Sequence, residues 1–301
     1  MFDVLRHKLN RRQFLSAGLA IAGGAVAMSP RTVFSASSED RKEVIRWALL
    51  SDTHTPPDPD NRYRRFHPYK NLQEVVGQIA PNLPDGLIVT GDVARLTGNV
   101  GSYENAKELL APIAQSRPIH LAVGNHDNRG NFLRAFEGFT GDVEHVEGKH
   151  VVIANTGPVR MVLLDSLMFV NLWPGQLGKM QRLWLDAYLR TCDDRPTLLF
   201  VHHTLNRGST DMLDADRFLE IIGPAAKVKA VIYGHSHALG FATYKGIHLI
   251  NLPAIGYNFH DSQPVGWVDA RLTARGGEFT VRAIGGNRKL DGYTRKVEWR
   301  T

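Results

Sequence analysis

Cysteine is almost missing from this chain of 301 residues, in which Cys192 is the only one. A single cysteine excludes an internal disulfide and any metal cluster held by several thiolates. We expect Cys192 to be a lone, half-buried thiol at a helix end.

Long apolar runs are equally scarce. The one clear run, Leu15–Ala27, has 13 residues, whereas a helix needs ~20 apolar residues to span a bilayer. It follows the basic segment that ends in Arg11-Arg12-Gln13-Phe14, and this order is typical of a bacterial export signal. The Arg-Arg-x-Phe-Leu core resembles the twin-arginine signal, which exports proteins already folded.

Cleavage of this leader is expected at Ala25-Val26-Ala27 or at Ser35-Ala36-Ser37, and an uncleaved anchor helix is the alternative. We predict a signal peptide and linker over residues 1–36 and a folded domain over residues 43–301. The expected partner is the twin-arginine export machinery, and the expected location is periplasmic or extracellular, with no stable membrane span after cleavage.

Excess charge is small outside the leader. Residues 1–36 carry a net charge of +4, which leaves +2 of the total of +6 for the rest of the chain. That excess is too small to indicate nucleic acid as the main partner. A local basic cluster of Arg62, Arg64, Arg65 and His67 either guides an anionic substrate or forms a solvated loop.

Short apolar runs alternate with helical patterns, which predicts an α/β fold. The predicted strands are Val44–Leu50, Gly86–Thr90, Ile119–Val123, Val159–Leu164, Thr197–Val201, Ala230–Tyr233, Ile247–Leu252, Trp267–Leu272 and Glu278–Ile284, and the chain then ends in a basic tail. The predicted helices are Tyr69–Ile79, Tyr103–Ala114, Pro174–Leu189 and Asp214–Ile222. In the third helix, the spacing of Leu177, Met180, Leu183, Trp184 and Leu185 predicts the buried face.

Aspartate and histidine cluster directly after several of these runs. The clusters are Asp52-Thr53-His54, Gly91-Asp92, Gly124-Asn125-His126-Asp127, His202-His203 and Gly234-His235-Ser236-His237. Carboxylate, amide and imidazole groups suit Zn, Mn, Fe or similar ions. An extended Asp-x-His segment sends both side chains to one face, and we expect the preceding glycines to allow sharp turns. A carboxylate such as Asp92 can bridge two ions ~3.5–4 Å apart.

The ordered set of five motifs resembles the calcineurin-like metallophosphoesterase superfamily. The resemblance implies a four-layer α/β/β/α sandwich of two mixed sheets, with a dinuclear metal site at the strand ends. It implies two divalent or Fe/Mn/Zn-type ions. The implied ligands of the first ion are Asp52, His54, Asp92 and His237, and those of the second are Asp92, Asn125, His202 and His235.

The same resemblance implies roles around the metals. His126 would contact the substrate phosphate, together with Asn125, as general acid or transition-state stabiliser. Asp127 would orient His126, and His203 would line the site beside the ligand His202. Tyr257, Asn258 and His260 follow an apolar run and are further candidates for the site mouth.

The motif that continues into Asn128-Arg129, with the double histidine, resembles the cyclic-nucleotide phosphodiesterase and glycerophosphodiesterase branch. Arg129 would then hold a substrate phosphate in bidentate fashion, or else be a solvated or loop-stabilising arginine. Thr204 and Leu205 replace the prolines that often follow the double histidine in that branch, which leaves the subfamily open.

The resemblance implies a small-molecule phosphoester hydrolase that uses a metal-bridging hydroxide for in-line attack on phosphorus. A phosphodiesterase is expected. The alternatives are a phosphomonoesterase or nucleotidase on the same centre, and a metal-binding module without catalysis. The sequence specifies neither the metal pair nor the oligomeric state.

Overall fold

A computed structural model describes residues 43–139, 142–206 and 208–301 of the chain. The predicted export leader lies outside these ranges, so it stays a prediction. No helix within the described ranges is both long enough and apolar enough to cross a membrane.

Two mixed sheets form the centre of the domain. The strands are β1 (Val44–Leu50), β2 (Gly86–Val89), β3 (Ile119–Leu121), β4 (Asp142–Val146), β5 (Lys149–Asn155), β6 (Arg160–Leu163), β7 (Thr197–Phe200), β8 (Val228–Tyr233), β9 (Gly240–Tyr244), β10 (Ile247–Asn251), β11 (Pro264–Thr273), β12 (Gly276–Gly286) and β13 (Thr294–Glu298). The first sheet has the order β13-β12-β11-β1-β2-β3, and the second has the order β4-β5-β6-β7-β8-β10-β9. Strands β1-β2-β3 and β6-β7-β8-β10 run parallel, and the flanking strands pair antiparallel.

Five helices cover the outer faces of these sheets. They are α1 (Pro68–Ile79), α2 (Val100–Ala114), α3 (Arg129–Ala135), α4 (Gly178–Thr191) and α5 (Ala215–Ile222). Helices α1, α2 and α3 pack on the first sheet, whereas α4 and α5 pack on the second. Alternate residues of each central strand serve different cores: Trp47 and Leu49 face the opposite sheet, and Leu50 faces the helices. The predicted four-layer sandwich is confirmed.

Most predicted elements are present, but β4, β5, β9, β13 and α3 were not predicted. Strand β13 lies in the segment predicted as a basic tail, and Val297 is its only buried residue. An edge strand with one buried side chain has too little apolar periodicity to be read from sequence. Cys192 directly follows α4 and is half-buried, as expected.

The third predicted helix is α4 in the structure, and its predicted buried face is wrong in part. Met180 and Leu183 are 55% and 54% exposed. The buried row is instead Leu177, Gln181, Leu185 and Leu189, whose spacing of four keeps them on one side of the helix. Gln181 is tolerated there because its amide accepts a hydrogen bond from the backbone N–H of Asp165 (2.9 Å) and donates one to the carbonyl of that residue (2.7 Å).

Candidate metal centre

The seven predicted metal ligands meet at one edge of the sandwich, where parallel strands of both sheets end. They are Asp52 and His54 after β1, Asp92 after β2, Asn125 after β3, His202 after β7, and His235 and His237 after β8. The carboxyl ends of parallel strands are where α/β proteins build their sites. Residues up to 185 positions apart in sequence are thereby brought together.

The backbone at five of the seven predicted ligands is not extended, so the predicted explanation for the Asp-x-His motif is wrong. Asp52 and His54 have φ angles of 50° and 46°, and Asp92, His235 and His237 have φ angles of 49°, 70° and 52°. Each non-glycine residue in this left-handed region costs roughly 1–2 kcal/mol, and such strain concentrates at functional sites. These five side chains therefore converge through left-handed residues, not through strand alternation.

Glycines next to the ligands serve close packing as well as turns. A Cβ on Gly124 would lie 2.2 Å from Asp92 Oδ1, and a Cβ on Gly234 would lie 1.9 Å from Ser51 Oγ and 2.4 Å from Asp52 Oδ2. Neither residue needs a positive φ angle. The expectation of sharp turns therefore does not account for these two positions, where space for the ligand carboxylates decides.

The first group of donors surrounds the free oxygen of Asp52. His237 Nε2 lies 3.4 Å from Asp52 Oδ1, and His54 Nε2 lies 3.9 Å from the same oxygen. The two imidazole nitrogens are 3.0 Å apart. The other carboxylate oxygen, Oδ2, accepts hydrogen bonds from the backbone N–H of His235 (3.1 Å) and from the hydroxyl of Ser51. Asp52 is thus held with one oxygen turned toward the two imidazoles.

The second group of donors surrounds Asn125. Its Oδ1 lies 3.2 Å from His202 Nε2 and 3.0 Å from His235 Nδ1. Asp92 Oδ2 lies 3.3 Å from His202 Nε2 and 3.7 Å from His54 Nε2, which belongs to the first group. Asp92 therefore occupies the position between the two groups that a bridging carboxylate requires.

Backbone carbonyls select which nitrogen of two histidines faces the centre. His237 Nδ1 lies 2.6 Å from the carbonyl of Tyr257, and His235 Nε2 lies 2.9 Å from the carbonyl of Thr210. A carbonyl only accepts, so each of these nitrogens carries the proton. The opposite nitrogen is then left with a lone pair that points to the donor cluster, as in metal-binding histidines.

The protonation states also favour a cation. Burial alone would raise the pKa of Asp52, but its interactions with His237 and His202 lower this pKa below its usual range. Burial also opposes ionisation of Asp92, yet His202 and His126 hold its pKa well below the usual range. Burial would lower the pKa of His202, whereas Asp92 and Asp52 raise it to about 9. A metal ion would therefore displace a proton from His202.

The donor set fits metal ions. Donors that share an ion at about 2.1 Å lie roughly 3.0–3.4 Å apart, and the closest pairs here are separated by 3.0–3.4 Å. Asp52 Oδ1 is buried without a hydrogen-bond partner. Burial lowers the pKa of His54 well below its ordinary value, which keeps its imidazole neutral. Two carboxylates, one amide and four imidazoles are consistent with Zn, Mn or Fe.

His126 lies beside this cluster, although Asp127 does not orient it. His126 Nε2 is 4.0 Å from Asp92 Oδ2, and its Nδ1 is 2.9 Å from the carbonyl of Leu96. The carboxylate of Asp127 instead accepts backbone N–H bonds from Gly124 and Ala94 at 2.9 and 3.0 Å. The predicted contact between Asp127 and His126 is therefore absent, and Leu96 takes its place.

Arg129 and His203 do not lie where a substrate would reach them directly. The guanidinium of Arg129 makes a two-pronged contact with Asp165, at 2.6 and 2.9 Å, and also binds the carbonyl of Leu167. His203 is fully buried, with Nδ1 2.6 Å from the hydroxyl of Ser166. The geometry contradicts a phosphate clamp by Arg129 and supports the alternative of a loop-stabilising arginine.

Replacing Arg129 with alanine should lower the free energy of unfolding by about 1–3 kcal/mol, because the buried Asp165 loses its main partner. Chemical denaturation would measure this loss. The control is Arg190→Ala, which removes an exposed ion pair with Asp186 at 3.0 Å and should cost at most about 0.5 kcal/mol. If Arg129→Ala were as stable as the wild type and had a raised KM with an unchanged kcat, the result would support the hypothesis that Arg129 binds a substrate phosphate.

A cleft of about 460 Å³ opens onto the donor cluster. Its lining includes Asp92, Asn125, His126, His235 and His237, and also Tyr63, Arg64, Trp173, Tyr257 and Phe259. The Tyr257 ring stacks on His54 at 4.8 Å, in line with its predicted position at the mouth. Asn258 is buried and donates to the carbonyl of Gln263, and His260 is exposed. Trp173 was missed because a lone exposed tryptophan carries no sequence pattern.

This fold and donor cluster define a dinuclear metal-dependent phosphoesterase class. The family model described as calcineurin-like phosphoesterase matches residues 45–239, and the chain belongs to that family. A dimetal phosphatase from Danio rerio has the same fold, with a TM-score of 0.65 and 17% identity, covering 86% of this chain and 100% of its own.

Two curated relatives are phosphodiesterases by name. A probable glycerophosphodiester phosphodiesterase from Arcobacter nitrofigilis is 27% identical over 66% of this chain and 74% of its own length. A probable cyclic nucleotide phosphodiesterase from Rhodopseudomonas palustris is 30% identical over 67% of this chain and 75% of its own length. The predicted branch resemblance is thus confirmed at the level of homologues.

Proposed function

We propose that this protein hydrolyses small-molecule phosphodiesters with the help of two transition-metal ions. The observation that carries the proposal is the convergence of seven oxygen and nitrogen donors in two groups that share Asp92. When bound, two such ions would acidify a water molecule and neutralise charge on the phosphoryl oxygens. The proposed holders are Asp52, His54, Asp92 and His237 for one ion, and Asp92, Asn125, His202 and His235 for the other.

His126 is the proposed proton donor. Because its Nδ1 donates to the Leu96 carbonyl, Nε2, which faces the cluster, is the ring nitrogen that would transfer a proton to a substrate. The backbone N–H of His126 also donates to Asp92 Oδ1 at 2.8 Å. These two contacts fix the ring so that Nε2 can protonate a leaving oxygen or stabilise a phosphoryl oxygen.

The relatives named as phosphodiesterases favour the diester over the monoester. The Danio rerio phosphatase shares only the fold at 17% identity. A monoesterase on the same centre is therefore the second candidate.

A substrate panel tests this choice. Metal-loaded protein should hydrolyse bis-(p-nitrophenyl) phosphate with a higher kcat/KM than p-nitrophenyl phosphate, and a chelator should abolish both activities. Cyclic AMP and glycerophosphodiesters complete the panel. A clear preference for the monoester would replace the phosphodiesterase by a phosphomonoesterase, and two bound ions without any turnover would support an inactive binding module.

We further propose export by the twin-arginine route, which would deliver the protein to the periplasm or beyond after folding. The proposal rests on the Arg11-Arg12 pair and the short apolar run that follows it. This route would let the metal ions enter in the cytoplasm.

Changing Arg11-Arg12 to Lys-Lys preserves the total charge of the leader. The protein should nevertheless stay in the cytoplasm, because the exporter recognises the arginine pair itself. Cell fractionation followed by immunoblotting measures the distribution. Continued export of the Lys-Lys variant would contradict the twin-arginine route. The matched control changes Arg6 to lysine, outside the pair, and should leave export intact.

A further inference from the structure

A small hairpin at the cleft mouth places two arginines in an unusual backbone conformation. Tyr63 and Phe66 exchange backbone hydrogen bonds of 3.0 and 2.8 Å, and the intervening Arg64 and Arg65 have φ angles of 48° and 71°. Two successive left-handed residues are typical of a hairpin turn that prefers Asn-Gly. Arginine has no preference for this conformation, so the geometry of the turn does not explain why arginines occupy these two positions. The explanation must lie in what their side chains do.

The two side chains have different surroundings. Arg65 pairs with Asp261 at 3.3 Å, and both groups are exposed. Arg64 lines the cleft, with its guanidinium 4.9 Å from the centre of the Phe259 ring. In the described part of the chain, Arg64 makes no hydrogen bond or ion pair. Its five N–H donors are therefore available to a ligand.

A second arginine lies against the same aromatic wall. The Arg95 guanidinium is 4.3 Å from the Tyr63 ring and 5.5 Å from the Tyr257 ring. Its Nε is buried without a hydrogen-bond partner, and no acidic group pairs with it among the described residues. A half-buried cation without an anion is costly, and aromatic rings compensate this only in part.

Asp211 is the other acidic residue in the described cleft lining, besides Asp92, and it does not pair with either arginine. Asp211 accepts hydrogen bonds from the hydroxyl of Thr204 and from the backbone N–H of Gly208, at 2.7 Å for the latter. Among the residues that the structure describes, no anion pairs with the wall formed by Arg64, Arg95 and the aromatic rings, which is thus positively charged and borders the metal centre.

We infer that Arg64 is a specificity-determining residue that binds a second anionic group of the substrate, a phosphate separate from the scissile one. Arg95 adds positive charge to the same wall. The inference rests on the proposed function, because it takes the metal centre as the place of the scissile phosphate. The substrate class is then a phosphodiester that carries an additional phosphomonoester. Arginine suits this task because its planar fork matches phosphate oxygens.

Two matched esters test the inference: thymidine 5′-(p-nitrophenyl phosphate) and the same compound with a 3′-phosphate. They differ only in the second anionic group. The metal-loaded wild type should favour the 3′-phosphorylated ester by about tenfold in kcat/KM, mainly through KM, since one charge-assisted contact is worth that much. Arg64→Gln should bring the ratio close to one, and Arg64→Lys should keep part of it.

Arg65→Gln is the matched control, because it removes the same charge from the same turn and should keep the wild-type ratio. Arg95→Gln should lower the ratio less than Arg64→Gln. A wild-type ratio near one, or an equal loss for Arg65→Gln and Arg64→Gln, would overturn the inference. A parallel fall for both esters in Arg64→Gln would indicate a structural role and would equally overturn it.

Calorimetry separates this inference from the proposed function. Thymidine 3′,5′-bisphosphate should bind the metal-loaded protein about tenfold more tightly than thymidine 5′-phosphate, and Arg64→Gln should remove the difference. This result would stand even if neither ester were hydrolysed, in which case the phosphodiesterase proposal alone would fail. Equal affinities of the wild type for the two ligands would overturn the inference while ester hydrolysis still supported the proposed function.

Discussion

Replacing Asp92 with alanine should remove metal ions and phosphodiester hydrolysis together. Asp92 Oδ2 lies between His54 and His202, one from each group of donors, so its loss weakens both groups. Loss of a group that merely supports a metal ligand costs 10–100-fold. Loss of this carboxylate should therefore lower kcat/KM by more than about 100-fold, with elemental analysis showing fewer than two ions per chain.

Asp194→Ala is the control for this prediction, because the Asp194 side chain is 98% exposed and precedes β7, at the end of that strand opposite to His202. It should keep the wild-type metal content and activity. Thermal melting in the presence of chelator would show whether Asp92→Ala folds normally without metal. If Asp92→Ala retained two ions and full metal-dependent turnover, the bridging position assigned to Asp92 would be wrong.

Replacing Gly234 with alanine should disrupt the same centre without removing any ligand. The added Cβ would lie 1.9 Å from Ser51 Oγ and 2.4 Å from Asp52 Oδ2, and both atoms are buried in a hydrogen-bonded chain. Overpacking of this kind costs about 1–3 kcal/mol. Because relief requires Asp52 to move, metal affinity and kcat/KM should fall together, as titration with metal and steady-state assays would show.

Gly77→Ala provides the matched control. Gly77 lies within α1, and a Cβ there would have no atom within 4 Å. Alanine in a helix is favoured over glycine by roughly 0.5–1 kcal/mol, so this variant should be slightly more stable and fully active. A Gly234→Ala protein that bound metal and turned over substrate as well as Gly77→Ala would show that Asp52 is not confined as the geometry indicates.

The left-handed backbone conformation of these predicted ligands costs free energy. The site therefore depends on neighbouring parts of the chain that hold the ligands in place. Five of the predicted ligands adopt positive φ angles, and metal binding would offset that strain only if the surrounding chain holds them there. Backbone contacts across the sheets do this, including Asp52 N–H to Gly91 carbonyl at 3.1 Å and Gly256 N–H to Asp52 carbonyl at 2.9 Å. The strands of the first sheet and the loop after β10 therefore share the task of shaping the centre.

The α/β class and most strands follow from the sequence alone, which also predicted the set of metal donors that the structure brings together. This was possible because apolar runs and the residues that follow them are local features, and ligand chemistry depends on residue type. The short polar elements β13 and α3 carried no such signal, and the buried face of α4 depended on a hydrogen bond between Gln181 and a distant strand end.

The contacts of the neighbouring polar residues could be seen only in the three-dimensional structure. Arg129 binds Asp165, which lies 36 residues further along the chain, and His126 binds the carbonyl of Leu96, which lies 30 residues before it. It also decided that, of the arginines after the first motif, Arg64 faces the cleft while Arg65 pairs outside it. These choices depend on packing between elements distant in sequence, and residue type and spacing carry no information about such packing.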